Sequence, residues 1–139
     1  MIKIHKVSHS KPGIWPLVRL FLPQMRWGQE AKALTWGDTI YIADKITPDQ
    51  LEHERVHLEQ QRYSKWYGTW AVLRYLISGK YRYQCELPAF RRQWQFCKSQ
   101  IGDRNIQAKI MIEIATAMSN GDYGAWGVTY SQALEDLTD

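Results

Sequence analysis

Thr47-Pro-Asp-Gln-Leu-Glu-His-Glu-Arg-Val-His-Leu-Glu-Gln-Gln-Arg-Tyr63 opens as a helix and carries most of the chemistry visible in this chain. Thr47 suits an N-cap, Pro48 fits the first helical position and Asp49 faces the positive end of the helix dipole. Gln50 is placed to close a capping box. A helix is therefore expected from Pro48 to about Tyr63. Within it stands His53-Glu-Arg-Val-His57, an H-E-x-x-H pattern. Positions i and i+4 project from one helical face, so both imidazoles reach one tetrahedral metal ion. Glu54, one residue on, lies beside such a metal and is placed to act as general base toward water. Three fixed letters at this spacing arise by chance on the order of one time in a few hundred chains of this length. The bland alternative is a solvated helical face, since Glu52, Arg55, Glu59, Gln60 and Gln61 make the helix very polar.

Before this helix, Leu34-Thr-Trp36 and Thr39-Ile-Tyr-Ile42 are strand-like and flank Gly37-Asp38, a two-residue hairpin turn. Residues 1–30 read as an irregular arm punctuated by Pro12, Gly13, Pro16, Pro23 and Gly28. Pro16–Leu22 reads as an apolar latch within it, with a membrane-surface role the lesser alternative because the segment is too short for a strong amphipathic anchor. After the motif, a second helix is expected from Trp66 to Ser78, ended by Gly79. Lys80–Tyr83 then connects to a third helix from about Glu86 to Lys98. Core packing is the first explanation for Trp66, Trp70 and Trp94. A fourth helix is expected from Asp103 to Met118, and a last short one near Ser131–Leu137. The expected fold is α+β: a mostly helical, zincin-like body with a small N-terminal β-hairpin. All 139 residues form a single domain, with the arm at 1–30, a metal-site core at 33–100 and C-terminal helices at 103–139.

A catalytic zinc ion needs a third protein ligand and an open position. His5 and His9 lie in the irregular arm, a poor platform for a ligand. Glu86 is better placed, because an antiparallel return would bring the third helix back against His53 and His57. Two cysteines, Cys85 and Cys97, exclude a thiolate-only site and a disulfide scaffold. These residues resemble the gluzincin group of zinc metallopeptidases. The likeness is to the compact minimal members from bacteria and phages, over roughly residues 33–100. The stretches that carry it are Leu34–Ile42, His53–Gln61 and Tyr81-Arg-Tyr-Gln-Cys-Glu-Leu-Pro-Ala89. The resemblance implies a hydrolase with Zn2+ held by His53, His57 and Glu86, Glu54 as catalytic base, and a strand beside the metal helix.

The developing oxyanion needs a second donor beyond the metal. Tyr83 is the first candidate because it lies near Glu86, followed by Tyr81, Tyr123 and Tyr130. Asp44 and Glu59 are candidates to orient the ligating histidines. A peptide or protein substrate is the expected partner, pairing by backbone along strand 39–42. The alternatives are a non-catalytic zinc-binding or interaction protein and a nucleic-acid binder. For the latter, net charge +4 and the cation–aromatic run from Lys80 to Trp94 speak in favour. A solvated helix face is the commoner cause of such a run, so nucleic acid is disfavoured. The N-terminus shows no apolar signal-peptide core, and no stretch is long enough to span a bilayer. A cytoplasmic protein with no membrane partner is expected.

Overall fold

A computed structural model describes residues 6–23, 25–29, 31–120 and 127–139. The elements in order are β1 (Lys6–Ser8), α1 (Trp15–Phe21), β2 (Ala33–Trp36), β3 (Thr39–Ile42), α2 (Pro48–Gln60), α3 (Lys65–Ile77), α4 (Gly79–Gln100), α5 (Arg104–Asn120) and α6 (Tyr130–Thr138). The fold is α+β and mostly helical, as the sequence indicates. The hairpin forms at the expected turn, where Gly37 takes φ +66°, the left-handed region open to glycine. Its strands pair antiparallel from Ala33–Ile42 to Trp36–Thr39.

One strand was not expected. Lys6–Ser8, within the N-terminal arm, pairs parallel with Thr39–Tyr41 and makes the sheet order β1-β3-β2. Strand 39–42 is therefore central and fully buried, bonded on both sides, and has no free edge for a peptide. This corrects the docking expectation.

At the start of α2, the Gln50 side chain accepts from the Thr47 N–H at 3.0 Å, closing the capping arrangement. At its end, Arg62 and Tyr63 both take left-handed backbone angles, φ 55° and 53°, at a cost of about 1–3 kcal/mol each. The neighbouring Gln61 holds this turn. Its buried amide accepts from the Gly37 N–H at 2.6 Å and donates to the Thr35 carbonyl at 3.0 Å, tying the end of α2 to the hairpin. Removing it would strand two buried backbone groups, worth about 1–3 kcal/mol apiece. The same junction requires Gly68. A Cβ there would lie 2.5 Å from Gln61 Oε1 and 2.7 Å from the Gly37 nitrogen.

The connection expected at 80–83 is instead the first turn of α4, a 22-residue helix that starts at Gly79 and runs through Pro88. Ser78 serves two helices at once. It ends α3, and its hydroxyl accepts from the Tyr81 N–H at 3.1 Å to cap α4. Buried Arg82 then donates to the Tyr75 and Leu76 carbonyls at the exposed end of the α3 ladder, at 2.9 and 3.1 Å. This closes a tight antiparallel corner.

The apolar interior is split. Trp15, Val18 and Leu22 of the α1 region pack on Val72 and Leu76 of α3, as the latch reading anticipates. Trp94, Cys97, Ile114, Met118, Ala133 and Leu137 join α4, α5 and α6. Ile40, Ile42 and Leu58 fix α2 to the sheet. Trp94 is in the core, but Trp66 and Trp70 are not. They are 69% and 55% exposed, which corrects the packing expectation. Helical periodicity places Trp66, Trp70 and Ile77 on one face and Val72 and Leu76 on another, and α1 covers only the second.

Candidate metal centre

α2 and α4 make the most extensive helix–helix contact of the fold. At their crossing, three ligand atoms from His53, His57 and Glu86 lie within 4.8 Å of one another. His53 Nε2 is 2.9 Å from Glu86 Oε2, His57 Nε2 is 3.6 Å from it, and the two Nε2 atoms are 3.2 Å apart. A tetrahedral ion with bonds of about 2.0–2.1 Å spaces its ligands about 3.3 Å apart, so these separations match three corners of such a shell. His53 and Glu86 are buried, and the Phe90 and His53 rings pack edge to face with centroids 4.5 Å apart.

The side chains behind these three orient them. The Gln60 amide oxygen accepts from His57 Nδ1 at 2.9 Å, which leaves Nε2 as the inward nitrogen. Gln60 also donates to the Cys85 carbonyl at 2.8 Å, fastening α2 to α4 beside Glu86. The Tyr75 hydroxyl donates to Glu86 Oε1 at 2.6 Å, so one carboxylate oxygen is held by α3 and the other faces the histidines. His53 Nδ1 is buried and has no hydrogen-bond partner among the described residues. The acidic candidates for the orienting role are not the ones that fill it. Glu59 points outward to Arg92, at 2.8 and 3.2 Å, and the amide Gln60 stands behind His57 instead.

Charge explains the titration of the cluster. Burial works against an imidazolium at His57, but the Glu86 carboxylate, with Glu54 and Gln60 behind it, more than offsets this. Its pKa is pushed up to about 9. Burial likewise opposes ionisation of Glu86, yet His57 and His53 hold it well below the usual carboxylate range. Without a metal, His57 and Glu86 form a buried ion pair. Two imidazoles and a carboxylate also make a donor set suited to a divalent transition metal.

Glu54 stands beside the cluster, half-buried. Thr35 Oγ1 donates to its Oε2 at 2.6 Å, so β2 positions the side chain. Two cavities meet here. A chamber of about 90 Å3, walled by Val18, Leu22, Val72 and Leu76, reaches His53, Glu54, His57 and Glu86. A groove of about 550 Å3, lined by Lys32, Gln50, Gln93 and Ile110 among others, reaches His53 and Glu54 from the other side. Ala33 of β2 borders both.

The tyrosine candidates fall elsewhere. Tyr83 donates to Asp136 of α6, and it packs on the α4–α5–α6 cluster rather than on the metal ligands. Burial and Asp136 together raise its pKa and keep the phenol protonated. Tyr81 lines the chamber with Arg74 over its ring, 4.3 Å from the centroid. Tyr130 is exposed on α6, and Tyr123 lies outside the described residues. The tyrosine that touches the site is Tyr75. The corner gave only a partial signal: an antiparallel fold about residues 78–80 sets 75 opposite 81–85, and the long phenol side chain covers the remaining step to Glu86. No family model matches this chain, and neither does any curated protein or solved structure.

Proposed function

We propose that this chain is a zinc-dependent peptidase in which His53, His57 and Glu86 hold the ion and Glu54 is the catalytic base. The observation that carries this reading is the convergence of the three ligand atoms from two helices at metal-shell separations, with a glutamate adjacent. A bound zinc ion supplies Lewis acidity, polarising a carbonyl and acidifying water at its open position. With Oε2 occupied by Thr35, proton transfer falls to Glu54 Oε1. Glu54 takes a proton from the attacking water and returns it to the leaving amine, so water is added across the C–N bond.

The chamber walls suit an apolar side chain beside the scissile bond. At about 90 Å3 the space is smaller than the roughly 150 Å3 cavity that accepts benzene, which points to a small aliphatic group. The substrate backbone pairs at the outer edge of β2 rather than along β3. At Thr35 that edge is filled by Gln61, so pairing is confined to the Ala33 end.

Metal analysis and a peptide-library digest test the reading. One zinc per chain is expected. Glu54→Gln should keep the zinc and lower turnover by about 10²–10⁴-fold. Absence of zinc after reconstitution overturns the proposal, as does full activity in Glu54→Gln.

A further inference from the structure

Charge and exposure are distributed unevenly over this molecule. Residues 1–29 contain Lys3, Lys6, Lys11, Arg19 and Arg26 and no acid. Residues 60–85 contain Arg62, Lys65, Arg74, Lys80 and Arg82 and no acid. These two stretches carry 10 of the 18 cations, so the remaining 8 accompany all 14 acids, and the rest of the chain is net −6. α1 of the first stretch lies on α3 of the second through Trp15, Val18 and Leu22 against Val72 and Leu76. Lys6 and Lys65 pair with Asp38 and Arg82 is buried, so the charge at this surface comes from exposed cations such as Arg19, Arg62, Arg74 and Lys80.

The outer sides of the same two helices are apolar. Trp66, Trp70 and Ile77 form a stripe along α3, 69%, 55% and 68% exposed, with the Trp66 and Trp70 rings edge to face at 6.0 Å. Leu20 and Phe21 of α1 are also exposed. Exposed Arg74 and Lys80 flank the stripe. Exposed indoles and aliphatics beside cations, on helices with no acidic residue, are the chemistry of a membrane interface. Indoles settle at the headgroup level, aliphatics enter the acyl boundary and cations meet lipid phosphates.

We propose that the outer face of α3, with the exposed edge of α1, docks this protein peripherally on an anionic lipid bilayer. No helix among the described residues is long and apolar enough to cross one, so the attachment lies on the surface. Two other occupants fit less well. Bases stack on the indoles but gain nothing from Leu20 or Ile77. A two-fold dimer through this face brings a net-positive surface against its own copy. The buried sides of α1 and α3 wall the chamber beside His53 and Glu86, so docking would hold the proposed catalytic site close to the membrane plane. The proposal itself stands whether or not the site is a peptidase.

Co-sedimentation of the full chain with phosphatidylcholine vesicles, pure or with about one third phosphatidylglycerol, tests it. The expected result is preferential binding to the anionic vesicles, a blue shift of tryptophan emission, and weakening at high salt. Trp66→Ser with Trp70→Ser should reduce partitioning at least tenfold with an unchanged circular-dichroism spectrum, since neither side chain is buried. Arg74→Ala and Lys80→Ala should each reduce it about fivefold. No binding, equal binding to both vesicles, or unchanged binding of the tryptophan pair overturns the proposal. So does a dimer, or retention on single-stranded DNA, that the tryptophan pair abolishes while vesicle binding is absent.

Discussion

α2 and α3 are thirteen residues each, meet at the left-handed pair Arg62–Tyr63, and break the inside–outside rule in opposite directions. α2 is charged and polar, yet His53 and neighbouring Gln61 are buried and His57 faces inward onto Glu86. α3 is apolar, yet Trp66, Trp70 and Ile77 stand in solvent. Burying polar groups and exposing indoles both carry a free-energy cost, and such local inconsistencies concentrate where a protein binds something. On α2 the buried groups point at one another and at Glu86. On α3 the exposed groups face solvent, the two indoles packing only edge to face on each other among the ring contacts of the described residues.

The largest effect that sharpens this contrast comes from pH. His57 in the metal-free protein holds its proton up to about pH 9, against an ordinary value of 6.5. Metal must displace that proton, so apparent zinc affinity should rise about tenfold per pH unit up to about 9 and then level off. Between pH 6.5 and 9 the gain is about 300-fold. Calorimetry in buffers of different ionisation enthalpy should detect about one proton released per zinc bound near neutral pH. Metal-free stability runs the other way. Because the folded pKa of His57 is raised, its contribution is fully present below pH 6.5 and lost as pH rises through about 9. Because that of Glu86 is depressed, its contribution is present above the ordinary carboxyl value of 4.5 and lost in acid. Thermal melts that strengthen from pH 6.5 to 9 without metal would contradict the buried ion pair.

The i, i+4 pairing of His53 and His57 was legible because it depends only on one helix's own period. Glu86 was legible because an antiparallel return of a later helix brings it near, even though α4 begins seven residues earlier than the sequence indicates. What depended on distant partners was not legible. β1 pairs parallel with β3 across some thirty residues, with no hairpin turn to announce it. Tyr83 is drawn to Asp136, fifty-three residues on, a choice that α6 makes. Periodicity placed Trp66 and Trp70 on one side of α3 but could not say which side α1 would cover.

Gly68→Ala breaks the comparison at its hinge. The new methyl would press on Gln61 Oε1 and on the backbone of Gly37, so the end of α2, the hairpin turn and the start of α3 cannot all keep their places. Gln61 is buried and uses both ends of its amide, which leaves little room for it to give way. Overpacking of this kind costs about 1–3 kcal/mol. Urea unfolding of the metal-free protein measures it. An unchanged midpoint would show that the two helices are not braced through this contact.

Tyr75→Phe tests how separate the two helices are. Tyr75 lies on α3, yet its hydroxyl donates to Glu86 at 2.6 Å, so the helix that exposes its indoles also supports the metal ligand on its inner side. Removing one hydroxyl leaves the ring in place and frees Glu86 Oε1 to turn. Losing a ligand's supporting hydrogen bond typically weakens metal binding about 10–100-fold, and that loss is expected here. Competition against a zinc chelator reads it, and vesicle binding of the same variant should be unchanged because the hydroxyl points inward. Unaltered zinc affinity would mean that α2 and α4 fix Glu86 unaided. A parallel loss of vesicle binding would mean that the inner and outer faces of α3 act as one unit.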